Sequence, residues 1–259
     1  MENYQQSYSI LASDMDITYH ITPNAIMLYF QDCFARFLSS KRLAAFDIIK
    51  ENLIWVISDF ELNFVKERPL WSSDINVKIQ FSNISSVRIY VDYWICDKND
   101  EVFAEGTSTW AIINSITKRP FGAKEMLEEG GITANGNAQE IRTIPKTIEE
   151  PFKEIEHQVN VTDLDFNGHV CNRTYLSISM GTVPLEFIKS YSPRYMHIKF
   201  NRESFFGEIL TCKVIKGENQ SYWYDIINSK NKNICNIYVE WEDNKETLSK
   251  DVSELIERK

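Results

Sequence analysis

The sequence predicts an α+β fold built twice over, each copy a helix laid against an antiparallel sheet. Three observations lead there. The 259-residue chain repeats itself: Ser13-Asp14-Met15-Asp16-Ile17-Thr18-Tyr19-His20 aligns with Thr162-Asp163-Leu164-Asp165-Phe166-Asn167-Gly168-His169, and Phe64-Val65-Lys66-Glu67 aligns with Phe200-Asn201-Arg202-Glu203. Behind the first motif, apolar residues recur at helical spacing. Further on, apolar and polar residues alternate with the period of two that marks a half-buried strand.

Each half reads as strand, helix, then several strands. In the first, Thr22 is an N-cap and Pro23 suits the first helical position, where its missing N–H costs nothing. Ile26, Met27, Phe30, Phe34, Phe37 and Leu38 then share one helical face. Alternation follows in Phe60, Leu62 and Phe64; in Ile75, Val77, Ile79 and Phe81; and in Ile89, Val91, Tyr93 and Ile95. Asp59, Glu61 and Asn63 face the other way, so one sheet face meets the helix and the other is polar. A strand from Glu101 to Trp110 matches a later one ending at Trp241.

The second half repeats the order. Its helix is expected from Cys171 to Ser190, with Gly181 and Pro184 as points of interruption. Strands follow through Met196, Ile198 and Phe200; Ile209 to Val214; Tyr222 to Ile227; and Cys235 to Trp241. The first half has the longer connection after its helix, at 41–51, and duplicated folds differ in length at such loops. Gly and Asn mark a linker from Glu128 to Ala138, and the residues from Asp243 read as a charged tail. The expected units are 1–115, a linker at 116–150, and 151–259.

Hydrophobic content of 43% with 13% aromatic residues suffices for packed cores, and a net charge of −9 disfavours nucleic acid as a partner. No apolar run approaches the roughly 18 residues of a membrane span. The start, Met-Glu-Asn-Tyr-Gln-Gln, has neither signal-peptide nor transit-peptide character, so a cytoplasmic protein is expected. Five cysteines without a C-x-x-C pair suggest reduced thiols, with no disulfide framework or zinc site.

Chemistry concentrates in Thr162–Tyr175, where Asp165, Asn167 and His169 occupy alternate positions ahead of a helix. In an extended segment alternate residues share a face, so the three groups are expected to converge. The helix adds backbone N–H groups and the positive end of its dipole. An acid, an amide and an imidazole so placed suit polarising a carbonyl and activating water, the requirements for cleaving an acyl group. Imidazole suits proton exchange near neutral pH. Asn167 cannot be a base; it can orient a carbonyl or a water, or simply cap a turn. Asp165 suits anchoring its neighbours, or capping the helix.

This run resembles the D-x-D-x-N-x-H-V-x-N-x-x-Y signature of the acyl-acyl carrier protein thioesterases. The family's second signature, Arg-Glu followed by Cys or Ser near the start of a strand, is matched by Arg202-Glu203-Ser204, with Gly207-Glu208 beyond. The resemblance implies a tandem double hotdog, two antiparallel sheets each wrapped around a long helix and joined as a pseudo-dimer with a continuous sheet. It implies hydrolysis of the fatty acyl thioester of acyl carrier protein to free fatty acid, without metal or redox cofactor. Asp165, Asn167, His169 and Glu203 would form the site in the second half. The first half would bind the acyl chain, with Phe30, Phe34, Phe60, Phe64 and Trp110 as lining candidates or as plain core.

Ser204 departs from the Cys common in plant members, which excludes a thiolate nucleophile at that position. An acyl-Ser route stays open, but water activated by Glu203 and His169 is the preferred reading. Gly168 stands where Gln is common, and Cys171, where Asn is common, reads as a helix-packing residue. In the first half Asp16, His20 and Glu67 echo the site while Thr18 replaces the carboxamide, so that set is expected to be vestigial; Gln31-Asp32 fit the same non-catalytic half. Docking an acidic carrier on an acidic chain needs a local basic patch. Lys41-Arg42, Lys118-Arg119, Arg142 with Lys146, and Arg194 with Lys199 are candidates. The rival readings are an acyl-CoA thioesterase, a hotdog dehydratase and a non-catalytic acyl-thioester binder. A homodimer is also possible.

Overall fold

The computed structural model describes residues 4–71, 73–136, 141–145 and 149–244. In the first half the elements are β1 (Tyr4–Ser9), α1 (Pro23–Ser40), α2 (Ala45–Ile48), β2 (Leu53–Phe64), β3 (Asp74–Ile84), β4 (Ile89–Cys96), β5 (Val102–Asn114), β6 (Pro120–Phe121) and α3 (Lys124–Glu129). The second half holds β7 (Lys153–Gln158), α4 (Asn172–Met180), α5 (Leu185–Ser190), β8 (Tyr191–Phe200), β9 (Ile209–Lys216), β10 (Ser221–Asn228) and β11 (Asn233–Asp243).

Among the described residues the strands form one antiparallel sheet, in the order β1-β3-β4-β5-β2-β8-β11-β10-β9-β7, with the short β6 beside β5. Each half thus supplies a five-strand run in matching order, and the two runs meet edge to edge where β2 pairs with β8 from Asp59↔Lys199 to Asn63↔Tyr195. This is an α+β double hotdog. The seam leaves neither β2 nor β8 as an open edge, the usual liability of a sheet.

Helix α1 begins as its sequence requires. Thr22 caps it, its hydroxyl accepting the Ala25 N–H at 3.2 Å, with Pro23 at the first position. Its inner face buries Ile26, Met27, Phe30, Cys33, Phe34, Phe37 and Leu38 against the sheet. Phe30 stacks on Tyr93 (4.1 Å between centroids) and Phe34 on Trp110 (4.5 Å).

The single helix expected at Cys171–Ser190 is two. α4 stops at Met180, and α5 starts behind Pro184. Proline lacks the N–H a continuing helix would use and disfavours helical geometry in the residue before it. Thr182 closes the break, donating its N–H (3.0 Å) and hydroxyl (2.8 Å) to the Ser179 carbonyl.

Other expectations shift in smaller ways. The long connection at 41–51 carries α2 and a further helical turn at Ile49–Glu51. The composition-based linker begins inside a helix, since α3 reaches Glu129. Asp243 ends β11 rather than opening a tail. The rest of that tail, beyond Asn244, and the linker residues 137–140 lie outside the described residues. No helix of the described residues is long and apolar enough to cross a membrane.

Candidate active site

Asp165, Asn167 and His169 come together on a tight turn, not on an extended segment. The Asp165 N–H bonds to the His169 carbonyl (2.8 Å), and the Gly168 N–H returns to the Asp165 carbonyl (3.0 Å). Gly168 takes φ +77°, a conformation glycine adopts without the Cβ penalty. The Asp165 carboxylate then organises the turn from within. Its Oδ1 accepts the N–H of Asn167 at 2.8 Å and that of His169 at 3.1 Å, and the Asn167 amide Nδ2 lies 3.5 Å from Oδ2. Alternation therefore named three residues that do converge, but for a reason it did not contain.

Glu203 reaches the same place from a second segment. It lies in the loop after β8 ends at Phe200, not at the start of a strand. The Ser204 carbonyl accepts the Val170 N–H at 2.9 Å, and His169 bridges Phe205, so this loop is stitched to the Asp165 turn. Glu203 Oε1 lies 3.7 Å from His169 Nδ1, too far for a direct hydrogen bond and suited to a bridging water or a small side-chain adjustment.

A cavity of about 300 Å³ opens at this junction. One wall carries Asp165, Asn167, His169, Arg202 and Glu203, together with Asn172 at the start of α4. The other half contributes Ile54 to Ser58 of β2, and Trp110 of β5. Tyr175 also lines it, and burial pushes that phenol above its ordinary value, so it stays a neutral donor. The site is composite: the second half supplies its titratable groups along with Val170 and Phe200, and the first half supplies a mostly apolar lining.

Of the residues proposed to line an acyl site, Trp110 lies on the cavity and Phe34 stacks directly behind it. Phe30, Phe60 and Phe64 are buried in the first-half core, away from the cavity wall. Ser204 is fully buried and is not on that wall, and neither is Cys171. The sequence reading missed Trp55, Ile57 and Ser58. The pairing of β2 with β5 slips between Ile57 and Asp59, a bulge at Ser58. Bulges re-aim the side chains beside them. Here the bulge turns the odd positions before it toward the face that the even positions occupy after it. Also unforeseen is Phe46 of α2, whose ring lies 5.4 Å from that of Phe166 at the tip of the turn.

The first half holds the same turn, with Asp16 and Ile17 on a separate cavity of about 720 Å³. The Asp16 N–H bonds to the His20 carbonyl, the Tyr19 N–H returns to Asp16, and Asp16 Oδ1 accepts the Thr18 N–H at 2.8 Å. Here, however, His20 is completely buried. Thr18 Oγ1 lies 2.9 Å from Nδ1 and Glu67 Oε1 3.1 Å from Nε2, so both ring nitrogens are occupied. Burial, then the charge of Arg68, pushes this imidazole below its ordinary value despite the opposing pull of Glu67 and Asp16. Burial also works to raise Asp16, but Arg68 at 2.9 Å and the Thr18 bonds outweigh it and hold the carboxyl below its usual range. Among the described residues no group of His, Cys, Asp and Glu could hold a metal ion.

Comparison with known proteins gives a consistent result. The model of the acyl-ACP thioesterase N-terminal domain matches residues 1–129, and that of the C-terminal domain matches 146–243. The chloroplastic acyl-acyl-carrier-protein hydrolase FATB1 of Cuphea viscosissima is 26% identical over 171 residues, 62% of this chain and 40% of that protein. The chain thus spans about two fifths of the length of that relative. Among solved structures, an acyl-ACP thioesterase from Bacteroides thetaiotaomicron superposes with a TM-score of 0.78 at 18% identity, over 93% of this chain and 98% of the other. The 12:0-ACP thioesterase from Umbellularia californica gives a TM-score of 0.83 at 18% identity, over 93% and 97%. At that identity the structural likeness speaks for the fold.

Proposed function

The chain belongs to the acyl-ACP thioesterase family, and from that premise we propose that it hydrolyses the fatty acyl thioester of acyl carrier protein to a free fatty acid. One observation carries the reading: Asp165, Asn167, His169 and Glu203, from two separate segments, line one cavity together with mostly apolar residues of the opposite half.

In this mechanism a water sits between Glu203 and His169, which together take its proton as its oxygen attacks the thioester carbon. Such general-base assistance is typically worth roughly 10² to 10⁴ in rate. The oxyanion is met by the Asn167 amide and the first turn of α4, where one well-placed donor contributes on the order of 10² to 10³. Collapse expels the pantetheine thiolate, which receives the proton from the same pair. Asp165 holds Asn167 and His169 in place through its bonds to their backbone. The acyl chain lies against Trp55 and Trp110, with Phe34 behind them. Since Ser204 is buried off the cavity, activated water is favoured over an acyl-Ser intermediate.

The test is turnover of acyl-ACP and acyl-CoA in parallel, for the wild type and for His169→Ala and Glu203→Ala. Each substitution should lower turnover at least about 10²-fold with the fold retained. Faster release from acyl-CoA than from acyl-ACP would move the carrier assignment. No thiol release from either substrate would leave a binding protein.

A further inference from the structure

One loop of the first half reaches over to the polar wall of the cavity. Asn114, at the end of β5, accepts the N–H groups of Ile116 (3.1 Å) and Thr117 (2.9 Å) on its side-chain oxygen. Its backbone N–H bonds to the Arg119 carbonyl at 2.9 Å, and the Lys118 N–H bonds to the Asn114 carbonyl at 2.8 Å. Lys118 itself sits at φ +56°, a conformation a lysine keeps only where its surroundings fix it. This bonding sets the direction in which the side chain leaves the turn. The ammonium lies 3.4 Å from Glu203 Oε2, while Oε1 of the same carboxylate lies 3.7 Å from His169 Nδ1. Glu203 is thus approached from both ends, by a cation of one half and the imidazole of the other.

We propose that Lys118 is a positioning residue of the hydrolytic site: its ammonium holds Oε2 and so turns Oε1 of Glu203 toward His169. The proposal rests on the reading of Glu203 and His169 as the water-activating pair. The sequence had offered Lys118, with Arg119, as part of a patch for an acidic carrier. A lysine already beside a carboxylate has much of its charge neutralised and is a poor choice for that task. The other charged groups at Glu203 do not replace it. Arg202 makes no ion pair among the described residues, and the Asp165 carboxylate is engaged with its own turn.

The test compares Lys118→Met and Lys118→Arg on two substrates, acyl-ACP and acyl-CoA. Lys118→Met should lower kcat roughly tenfold on both, as misplaced catalytic groups do, and leave KM nearly unchanged. Lys118→Arg should restore most of the loss. The melting temperature should not move, since an exposed ion pair adds little to stability. In a Glu203→Gln background Lys118→Met should cost nothing further, a coupling that a purely structural role would not produce. A rise in KM confined to acyl-ACP would make Lys118 a docking cation and overturn the proposal, as would unchanged kinetics. Glu203→Ala and His169→Ala, run alongside, separate the failures. If they collapse while Lys118→Met does not, only the role of Lys118 falls; if they keep turnover, the pair itself fails and leaves Lys118 nothing to position.

Discussion

Two backbone N–H groups share one carboxylate oxygen of Asp165, and they belong to the two residues whose side chains face the cavity. Hydrogen bonds to a charged acceptor contribute more than neutral ones, about 1.5 to 3 kcal/mol each where shielded, and less here because the turn is partly exposed. Asp165→Ala should therefore cost about 1–3 kcal/mol of stability and lower turnover by more than that loss explains. Asp165→Asn, which keeps one acceptor oxygen, should recover part of it. Thermal melts beside steady-state kinetics decide the matter; an Asp165→Ala enzyme with normal kcat would remove the turn from the mechanism. Ser204→Ala is the contrasting case. Its hydroxyl is buried off the cavity, so turnover should stay near wild type, and a collapse like that of His169→Ala would revive acyl-Ser chemistry.

At the scale of elements, β2 decides the shape of the site. Its end at Phe60–Phe64 was legible because the alternation there is regular. Its beginning, Leu53–Ser58, reads as a nearly unbroken apolar run, and no pattern in it signals the bulge that turns Trp55 toward Phe34 and Trp110. The break between α4 and α5 was announced by Gly181 and Pro184, residues whose backbone effect is intrinsic. What stayed hidden was contact between halves, such as Phe46 on Phe166 or Lys118 on Glu203, which depends on the seam and not on either segment. Trp110→Ala tests the apolar wall. Losing a buried ring stacked at 4.5 Å on Phe34 should cost about 3–5 kcal/mol. The enlarged cavity should shift product chain length upward, read by gas chromatography of the released acids; an unchanged product profile in a folded variant would move the acyl site elsewhere. Gly106 tests the sheet itself. A Cβ there would lie 2.1 Å from the Glu61 carbonyl oxygen of β2, so Gly106→Ala must push two central strands apart. It should destabilise by at least about 1–3 kcal/mol, and a melting temperature equal to wild type would contradict the close approach.

Across the whole molecule, duplication has produced two turns with one hydrogen-bonding plan and histidines of different access, His20 fully buried and His169 half-buried. The seam between the halves is polar on its outer face, where Asp59 meets His197 at 3.1 Å and the Tyr195 hydroxyl bonds to Glu61. The second turn presents His169 to its cavity, whereas the first buries His20 completely and presents only Asp16 and Ile17 to a separate cavity of about 720 Å³. The burial of His20 has a thermodynamic signature. His20 is held below its ordinary pKa by burial and by Arg68, so the folded chain resists a proton that the unfolded chain accepts near pH 6.5. Above that pH both states leave the ring neutral and the full stability is present. As pH falls below it, only the unfolded state gains the proton, and stability declines until the lowered folded value is passed. Asp16, held below the usual carboxylate range, acts in a separate and more acidic window: its contribution is intact above pH about 4 and is lost as the pH falls through its folded value. The melting temperature should therefore begin to fall between pH 7 and 5, before carboxylates titrate. His20→Gln, which has no proton to gain, should flatten that first segment while leaving the acid limb in place. Equal slopes for wild type and variant between pH 7 and 5 would show that the buried imidazole of the first turn is not the group that resists the proton.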